Sequence, residues 1–348
     1  MGLRNHQKSC VGVDIGSSSV KLAIVSKEAD QCRLDYWAVR ELPTGTISNG
    51  SICRTSVLVD AIGGLLERKR ARGSKSALTL PTQLVLLDRL RIPDLPEAEI
   101  ADSLRWEICQ RIPCEVEQVS FDYSIQAETN DERQADCLLA AAPKAKIAEY
   151  EKVIRLAGLK ASIVDVEALT LHNLHLHSYE TDGTSTEAIL NIGASTTNVI
   201  VFRGNSLLLN RLIPMGGLEY RRSLQDCLGL SSSKAEQQLR RHEGPCEIGS
   251  SFDKISEKLA LEIQKVFSHG PSALKTPEVA TVRICGGGSL ILGLPDSLSR
   301  CLGLPILPMD PLQKLESEHL APQEGDLSHC RARFAVAIGL ALRMAREK

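Results

Sequence analysis

With 348 residues, 43% of them hydrophobic and 24% charged, the chain is long enough for two domains or one bilobed unit, and its composition excludes a disordered or fibrous protein. A formal net charge of −2 gives no general attraction to nucleic acid or anionic lipid, and no apolar run reaches the roughly 20 residues of a membrane span. The eleven cysteines are odd in number and scattered, with no CxxC pair, which points to free thiols in a reducing compartment rather than to disulfides or zinc. Met1 to His6 shows no secretory signal and no Ser or Thr at the sixth position, where myristoylation wants one. The expectation is a cytoplasmic protein that reaches a membrane only through a partner.

In chain order, Cys10–Val25 and Cys32–Arg40 read as three strands of a meander, and Pro43–Gly50 as a loop of turn residues. Thr55–Arg68 has apolar residues at helical spacing and closes in the charged run Glu67–Arg72, a solvated helix end whose cations suit the negative dipole terminus. Strands follow at Ser76–Leu80 and Val85–Ile92. From Pro93 the texture turns acidic and leads into an amphipathic helix, Glu97–Arg111, which Pro113 ends. Val119–Gln126 and Asp136–Ala142 read as strands around the polar turn Glu128–Gln134, and Lys144–Ala157 as a helix stopped by Gly158. This small α+β unit interrupts the pattern begun at Cys10.

Ala161–Val166 is a strand and Glu167–Tyr179 a helix. It carries His172, His175 and His177, whose spacings cannot put all three on one face, so surface or partly buried histidines are favoured over a metal site. Strands at Glu187–Arg203 and Leu207–Pro214 precede helices at Glu219–Leu228, Ser233–His242 and Phe252–Ser268. The second of these opens on Ser233-Lys234-Ala235-Glu236, a capping-box pattern, and Gly270-Pro271 stops the third. Strand Thr281–Ile284 delivers Gly286-Gly287-Gly288-Ser289, helix Ile291–Leu302 and short strand Ile306–Pro308 follow, Pro311–Leu327 is a polar connection, and Ala332–Lys348 is a closing helix more apolar than basic.

One pattern is written twice. Val11–Val25, VGVDIGSSSVKLAIV, and Ala188–Phe202, AILNIGASTTNVIVF, align without a gap: Asp14 on Asn191, Ile15-Gly16 on Ile192-Gly193, and Ser17, Ser18 and Ser19 on Ala194, Ser195 and Thr196. Each copy is a strand, a glycine turn with hydroxyls and free N–H groups, and a returning strand, so two of them facing each other would clamp a polyphosphate. Asp14 can alternatively be an Asx residue closing its own turn, and Lys21 an exposed strand residue. Asp165 and Glu167 can supply a base, or Glu167 can sit at its helix N-terminus for dipole reasons.

The order of hairpin, long interval, second hairpin, helical insert, strand-GGG and closing helix resembles the ATP-binding superfamily of actin, the heat-shock chaperone ATPases and the sugar kinases. Within it the chain is most similar to the PilM family of type IV pilus assembly, whose relative in cell division is FtsA. The phrases that carry the likeness are VGVDIGSSSVKL, Glu107–Tyr123 (EICQRIPCEVEQVSFDY), Ala157–Leu169, Ile192–Asn198 (IGASTTN), Ile213–Gly217, Glu262–Lys265 (EIQK) and Ile284–Gly293 (ICGGGSLILG).

The resemblance implies an actin-like (ribonuclease H-like) bilobed α/β fold with two duplicated domains. Residues 8–92, 161–185 and 328–348 would form the first lobe, 93–160 an inserted α+β subdomain, and 186–327 the second lobe with a helical insert at 218–270. It implies ATP and Mg²⁺ as ligands. Asp14, Gly16, Ser17, Ser18, Ser19 and Lys21 would form the first phosphate loop, and Gly193, Ser195, Thr196 and Thr197 the second. Glu262, Lys265, Gly286, Gly287, Gly288 and Ser289 would lie near the adenosine. Asp14 would hold Mg²⁺ through water, while Asn191 stands where the family pattern places an aspartate, so hydrolysis would be slow or absent. The implied partner is the cytoplasmic tail of a PilN-like inner-membrane protein, held in a groove bordered by the inserted unit, with pilus ATPases or other assembly-platform proteins as further candidates. No nucleic acid and no direct membrane insertion are expected. An FtsA-like filament protein and a sugar-kinase-type phosphotransferase are the alternative readings.

Overall fold

A computed structural model describes residues 10–28, 31–69, 71–93, 95–128, 134–239, 249–268, 278–317 and 330–346. Parts of the readings above lie outside them: the first nine residues, Arg70, Asp94, most of the turn at 129–133, His242, Gly270-Pro271, residues 318–329 and the last two. The chain begins with β1 (Cys10–Ile15), β2 (Ser19–Glu28) and β3 (Gln31–Glu41), a small hairpin of β4 (Ile47–Ser48) and β5 (Ser51–Ile52), α1 (Thr55–Glu67) and β6 (Lys75–Leu80). There follow β7 (Leu86–Pro93), α2 (Glu97–Arg111), β8 (Val119–Glu128), β9 (Gln134–Pro143), α3 (Lys144–Leu156), β10 (Lys160–Val166) and α4 (Glu167–Ser178). The second half holds β11 (Thr186–Ile192), β12 (Thr197–Arg203), β13 (Ser206–Ile213), α5 (Gly217–Leu228), α6 (Ser232–Leu239), α7 (Gly249–Ser268), β14 (Val279–Cys285), α8 (Leu294–Leu302), β15 (Ile306–Pro308) and α9 (Ala335–Arg346).

The duplication in the sequence is a duplication of topology. One sheet has the order β10-β6-β1-β2-β3 and the other β15-β14-β11-β12-β13. In each, the first strand pairs antiparallel with the second and parallel with the strand that returns after the crossover. Inner strands are covered on both faces and therefore read as apolar runs rather than alternations: in β12 only Arg203 is exposed. The edge strand β10 exposes or half-exposes all but Asp165.

Three buried layers hold these sheets. Leu58, Ile62 and Leu66 of α1 and Tyr150, Val153 and Ile154 of α3 cover the outer face of the first sheet. Tyr220 of α5, Leu259 and Ile263 of α7 and Leu298 of α8 cover that of the second. Between the sheets lie α4 and α9, packed together with Ile189, Ile200 and Phe202. The closing helix α9 is buried nearly all round, which explains its apolar sequence without any lipid. It lies so close to β1 that a Cβ on Gly12 would stand 1.9 Å from the Ala337 carbonyl oxygen, so only glycine fits there.

The inserted unit is a three-stranded sheet, β7-β9-β8, against which α2 lays Ile100, Leu104 and Ile108. Two elements sit differently from the expected 93–160 unit. The strand β7 belongs to this sheet, because its full length pairs with β9. Helix α3 packs on α1 of the first sheet, because its buried stripe faces that way.

Five helix starts also differ from the sequence reading, those of α5 and α7 lying earlier, at Gly217 and Gly249. Helix α6 begins at Ser232, so Ser233 is inside it, and the carbonyl of Ser231 accepts the Ala235 N–H at 2.9 Å. It is in α5 that a glutamate returns to the cap, Glu219 Oε2 accepting the Gly216 N–H at 3.0 Å. A left-handed Gly293 (φ 72°) delays α8 to Leu294, and a 3₁₀ turn at Arg331–Phe334 precedes α9.

Candidate functional site

The two hairpin turns meet across a polar cleft of about 100 Å³ between the sheets. Each turn is closed by the same bond: Gly16 N–H to Ser19 C=O at 3.0 Å, and Gly193 N–H to Thr196 C=O at 2.8 Å. The turns touch through Ser17 Oγ and Ser195 Oγ, 3.1 Å apart. A third turn closes the cleft floor, where the Gly286 N–H donates to the Ala332 carbonyl at 2.9 Å. Gly286 has φ 85°, and a Cβ on it would stand 2.4 Å from Asn191 Oδ1 and 2.5 Å from the Ile192 carbonyl. The residue must therefore be glycine for the backbone of β14 to reach the second hairpin.

Equal strand registers put different chemistry at matching positions. Asp14 stands opposite Lys21 across β1 and β2, and their side chains form an ion pair at 3.0 Å. This sets aside both the Asx reading of Asp14 and the exposed-strand reading of Lys21. Asn191 stands opposite Asn198 across β11 and β12, so the second hairpin carries two amides where the first carries two charges. Both amides serve Glu167. Asn198 Nδ2 donates to Glu167 Oε1 at 3.0 Å and reaches Thr82 Oγ1 at 3.2 Å. Burial, the largest influence, pushes the Glu167 carboxyl above the ordinary carboxylate value, against the opposing pull of the Asn191 and Asn198 amides. Glu167 thus occupies the first turn of α4, where the sequence placed it, and also the cleft wall.

Asp14, Gly16, Ser17, Ser18, Lys21, Asn191, Gly193, Ser195, Thr196, Gly286 and Gly287 all line the cleft. Ser19, Thr197, Gly288 and Ser289 stand behind that lining: the Thr197 hydroxyl donates to the Met215 carbonyl at 2.8 Å and the Ser289 hydroxyl to the Gly286 carbonyl at 2.7 Å. Glu262 and Lys265 form an ion pair with each other at 2.7 Å on α7 and are not part of the lining. Asp165 is buried, and its carboxylate engages Arg343 at 2.6 Å and the Thr170 hydroxyl at 3.0 Å, which ties α4 to α9 away from the cleft. Asn198 and Arg333 line the cleft without having been singled out in the sequence. Asn198 could have been found, since the gapless alignment of the hairpins puts it on Lys21; Arg333 left no such trace.

The histidines correct the sequence reading. His172 and His175 are buried between the sheets, their rings against Phe202, and His172 Nε2 meets the Gly204 carbonyl at 2.8 Å. They are core residues because α4 is sandwiched between the two sheets and has little outer face. Desolvation pulls His172 below the usual imidazole value. Among the described residues no group of three His, Cys, Asp or Glu side chains could hold a metal ion, and no helix is long and apolar enough to cross a membrane.

Two sheets of one topology, each presenting a glycine turn to a shared cleft with a third glycine turn as its floor, define an actin-like α/β protein. Solved structures of that class agree: EutJ from Carboxydothermus hydrogenoformans superposes with a TM-score of 0.58 (16% identity, 95% of this chain and 88% of that one). MreB5 of Spiroplasma citri bound to ADP does so with 0.54 (11% identity, 99% and 97%). The chain belongs to the family of type IV pilus assembly protein PilM, whose family model matches residues 12–345. It is 25% identical, over 98% of its own length and 99% of the other's, to a chain in the solved PilM-PilN type IV pilus biogenesis complex, with a TM-score of 0.83.

Proposed function

We propose that this PilM-family protein is a cytoplasmic, ATP-binding scaffold of a type IV pilus, peripheral to the inner membrane through a PilN-like protein whose tail it binds. The observation that carries the nucleotide half is the meeting of the two glycine turns at Ser17 and Ser195. Fixed backbone N–H groups and hydroxyls on both sides of a narrow cleft suit a polyphosphate, and the close approach of Gly286 to Asn191 leaves a floor without side chains. Asp14, Ser17, Ser18 and Lys21 from one hairpin and Gly193, Ser195 and Thr196 from the other would hold the phosphates. Bound Mg²⁺ would neutralise phosphate charge there, with Asp14 as its carboxylate.

Hydrolysis is slow or absent in this reading. The amide of Asn191 cannot act as a base, and Glu167 is a buried carboxyl already engaged by the Asn198 amide. ATP then serves by its differential contacts with two lobe angles rather than by turnover. For the partner half, the likeness to the PilM-PilN complex gives the support. The inserted unit also exposes apolar side chains, Trp106 on α2 at 65% and Ile125 on β8 at 43%.

The test is a titration of the full chain with a synthetic peptide of a PilN-like cytoplasmic tail, with and without Mg-ATP, followed by tryptophan emission. The chain has two tryptophans and Trp37 is buried, so Trp106 reports on the inserted unit. Saturable micromolar binding whose affinity shifts with ATP is expected. Absence of peptide binding would overturn the partner half, and absence of ATP binding by calorimetry the nucleotide half.

A further inference from the structure

The cleft contains a cation that neither hairpin supplies. Arg333 stands in the 3₁₀ turn ahead of α9, is 6% exposed, and lines the cleft. Its Nη2 donates to Ser19 Oγ at 3.2 Å and to the carboxylate of Glu41 at the end of β3. Its Nε is buried without a hydrogen-bond partner and lies 4.0 Å from where a Cβ on Gly287 would stand. The guanidinium therefore holds the first loop through Ser19 and lies beside the glycine floor with its Nε–H unpaired. The other cation of the lining, Lys21, is held by Asp14.

An orphaned buried N–H is costly, and natural proteins keep few of them. An acceptor that enters the cleft between the Ser19 loop and Gly287 would come within reach of it. A planar guanidinium, always charged and with donors in a fixed fork, selects an anionic oxygen over a neutral one. Glu41 is a weak competitor for it, because its side chain is 59% exposed and water screens the pair.

We propose that Arg333 is an anion-binding residue of this cleft, taking a phosphate oxygen of a nucleoside phosphate, with Glu41 holding the guanidinium in place until the ligand arrives. The proposal rests on the nucleotide-binding reading above and adds to it a third contributing element, the turn before α9. It also links the helix that follows, which packs on β1, β2, β6 and α4, to the ligand through that turn.

Calorimetry on the full chain with ATP, adenosine and pyrophosphate separates the outcomes. Arg333→Met should weaken ATP by about tenfold or more and leave adenosine unchanged, while Arg333→Lys recovers part of the loss. Glu41→Gln, which frees the guanidinium, should keep or tighten ATP binding and serves as the second arm if Arg333→Met does not fold. Thermal melts without ligand register the purely structural share of Arg333. Equal losses for ATP and adenosine, no loss in Arg333→Met, or weaker ATP binding in Glu41→Gln would each overturn the proposal. If the wild type binds neither ATP nor adenosine, the nucleotide reading fails, and pyrophosphate then decides for Arg333 alone: binding that Arg333→Met abolishes supports it, and no binding sinks it as well.

Discussion

The two hairpins share a register and a turn geometry, yet they differ at the cross-strand pairs that carry their charge. Asp14 and Lys21 form a charge pair in the first, and Asn191 and Asn198 are amides that turn to Glu167 in the second. They differ underneath as well. Gly12 of β1 has the Ala337 backbone against it, whereas the matching Ile189 of β11 fills the layer between the sheets. Strand pairing and the glycine turn fix the backbone, and those need only apolar strands and a residue without a Cβ. Side chains aimed at the cleft are free of that duty and can diverge. The result is an asymmetric clamp, in which one side brings charge and the other brings neutral donors and acceptors.

Substitutions can break this asymmetry. The largest effect is expected at Gly12→Ala, where the new Cβ meets backbone rather than a movable side chain; unfolding in urea should show a loss of about 3 kcal/mol or more. The conservative change Ile189→Val at the matching position should cost only about 1 kcal/mol. Next comes Asn191→Asp, which makes the second hairpin resemble the first. Mg²⁺-dependent ATP affinity should rise about tenfold, while the metal-free fold should lose about 1 kcal/mol because the added carboxylate faces Glu167 and Asp14. Calorimetry with and without Mg²⁺, and melts in chelator, check both signs, and an unchanged Mg²⁺ dependence would refute the role given to position 191.

The smallest effect concerns Glu167. Its folded carboxyl titrates above the unfolded value of 4.5, so the native state keeps a proton that the unfolded chain releases. The resulting contribution is full below the unfolded value and is lost as pH rises through the folded one. Glu167→Gln should flatten that fall in melting temperature on the alkaline side of 4.5; a slope identical to wild type would show that Glu167 is not the titrating group.

Much of this was legible in the chain. The gapless repeat, the glycine turns and the break at Pro93 predict two matched hairpins and an interrupting unit, because each is a local signal of periodicity or of backbone freedom. The helix starts at Leu294 and Ala335 were misplaced by a few residues, since a left-handed glycine and a 3₁₀ turn follow the same composition as a helix end. The histidines of α4 were read as surface or partly buried residues, and the full burial of His172 and His175 escaped that reading because it comes from two sheets distant in sequence.

The sequence by itself determined the repeated hairpin, the glycines that permit its turns and the family to which the chain belongs. Only the tertiary structure decided that Asp14 is already paired, that Glu167 faces two amides, and that Arg333 reaches Ser19 across 314 residues of chain. Local patterns follow from backbone and hydrophobic periodicity, which neighbouring residues carry. The charge balance of the cleft depends on which distant side chains share it, and no short stretch contains that information.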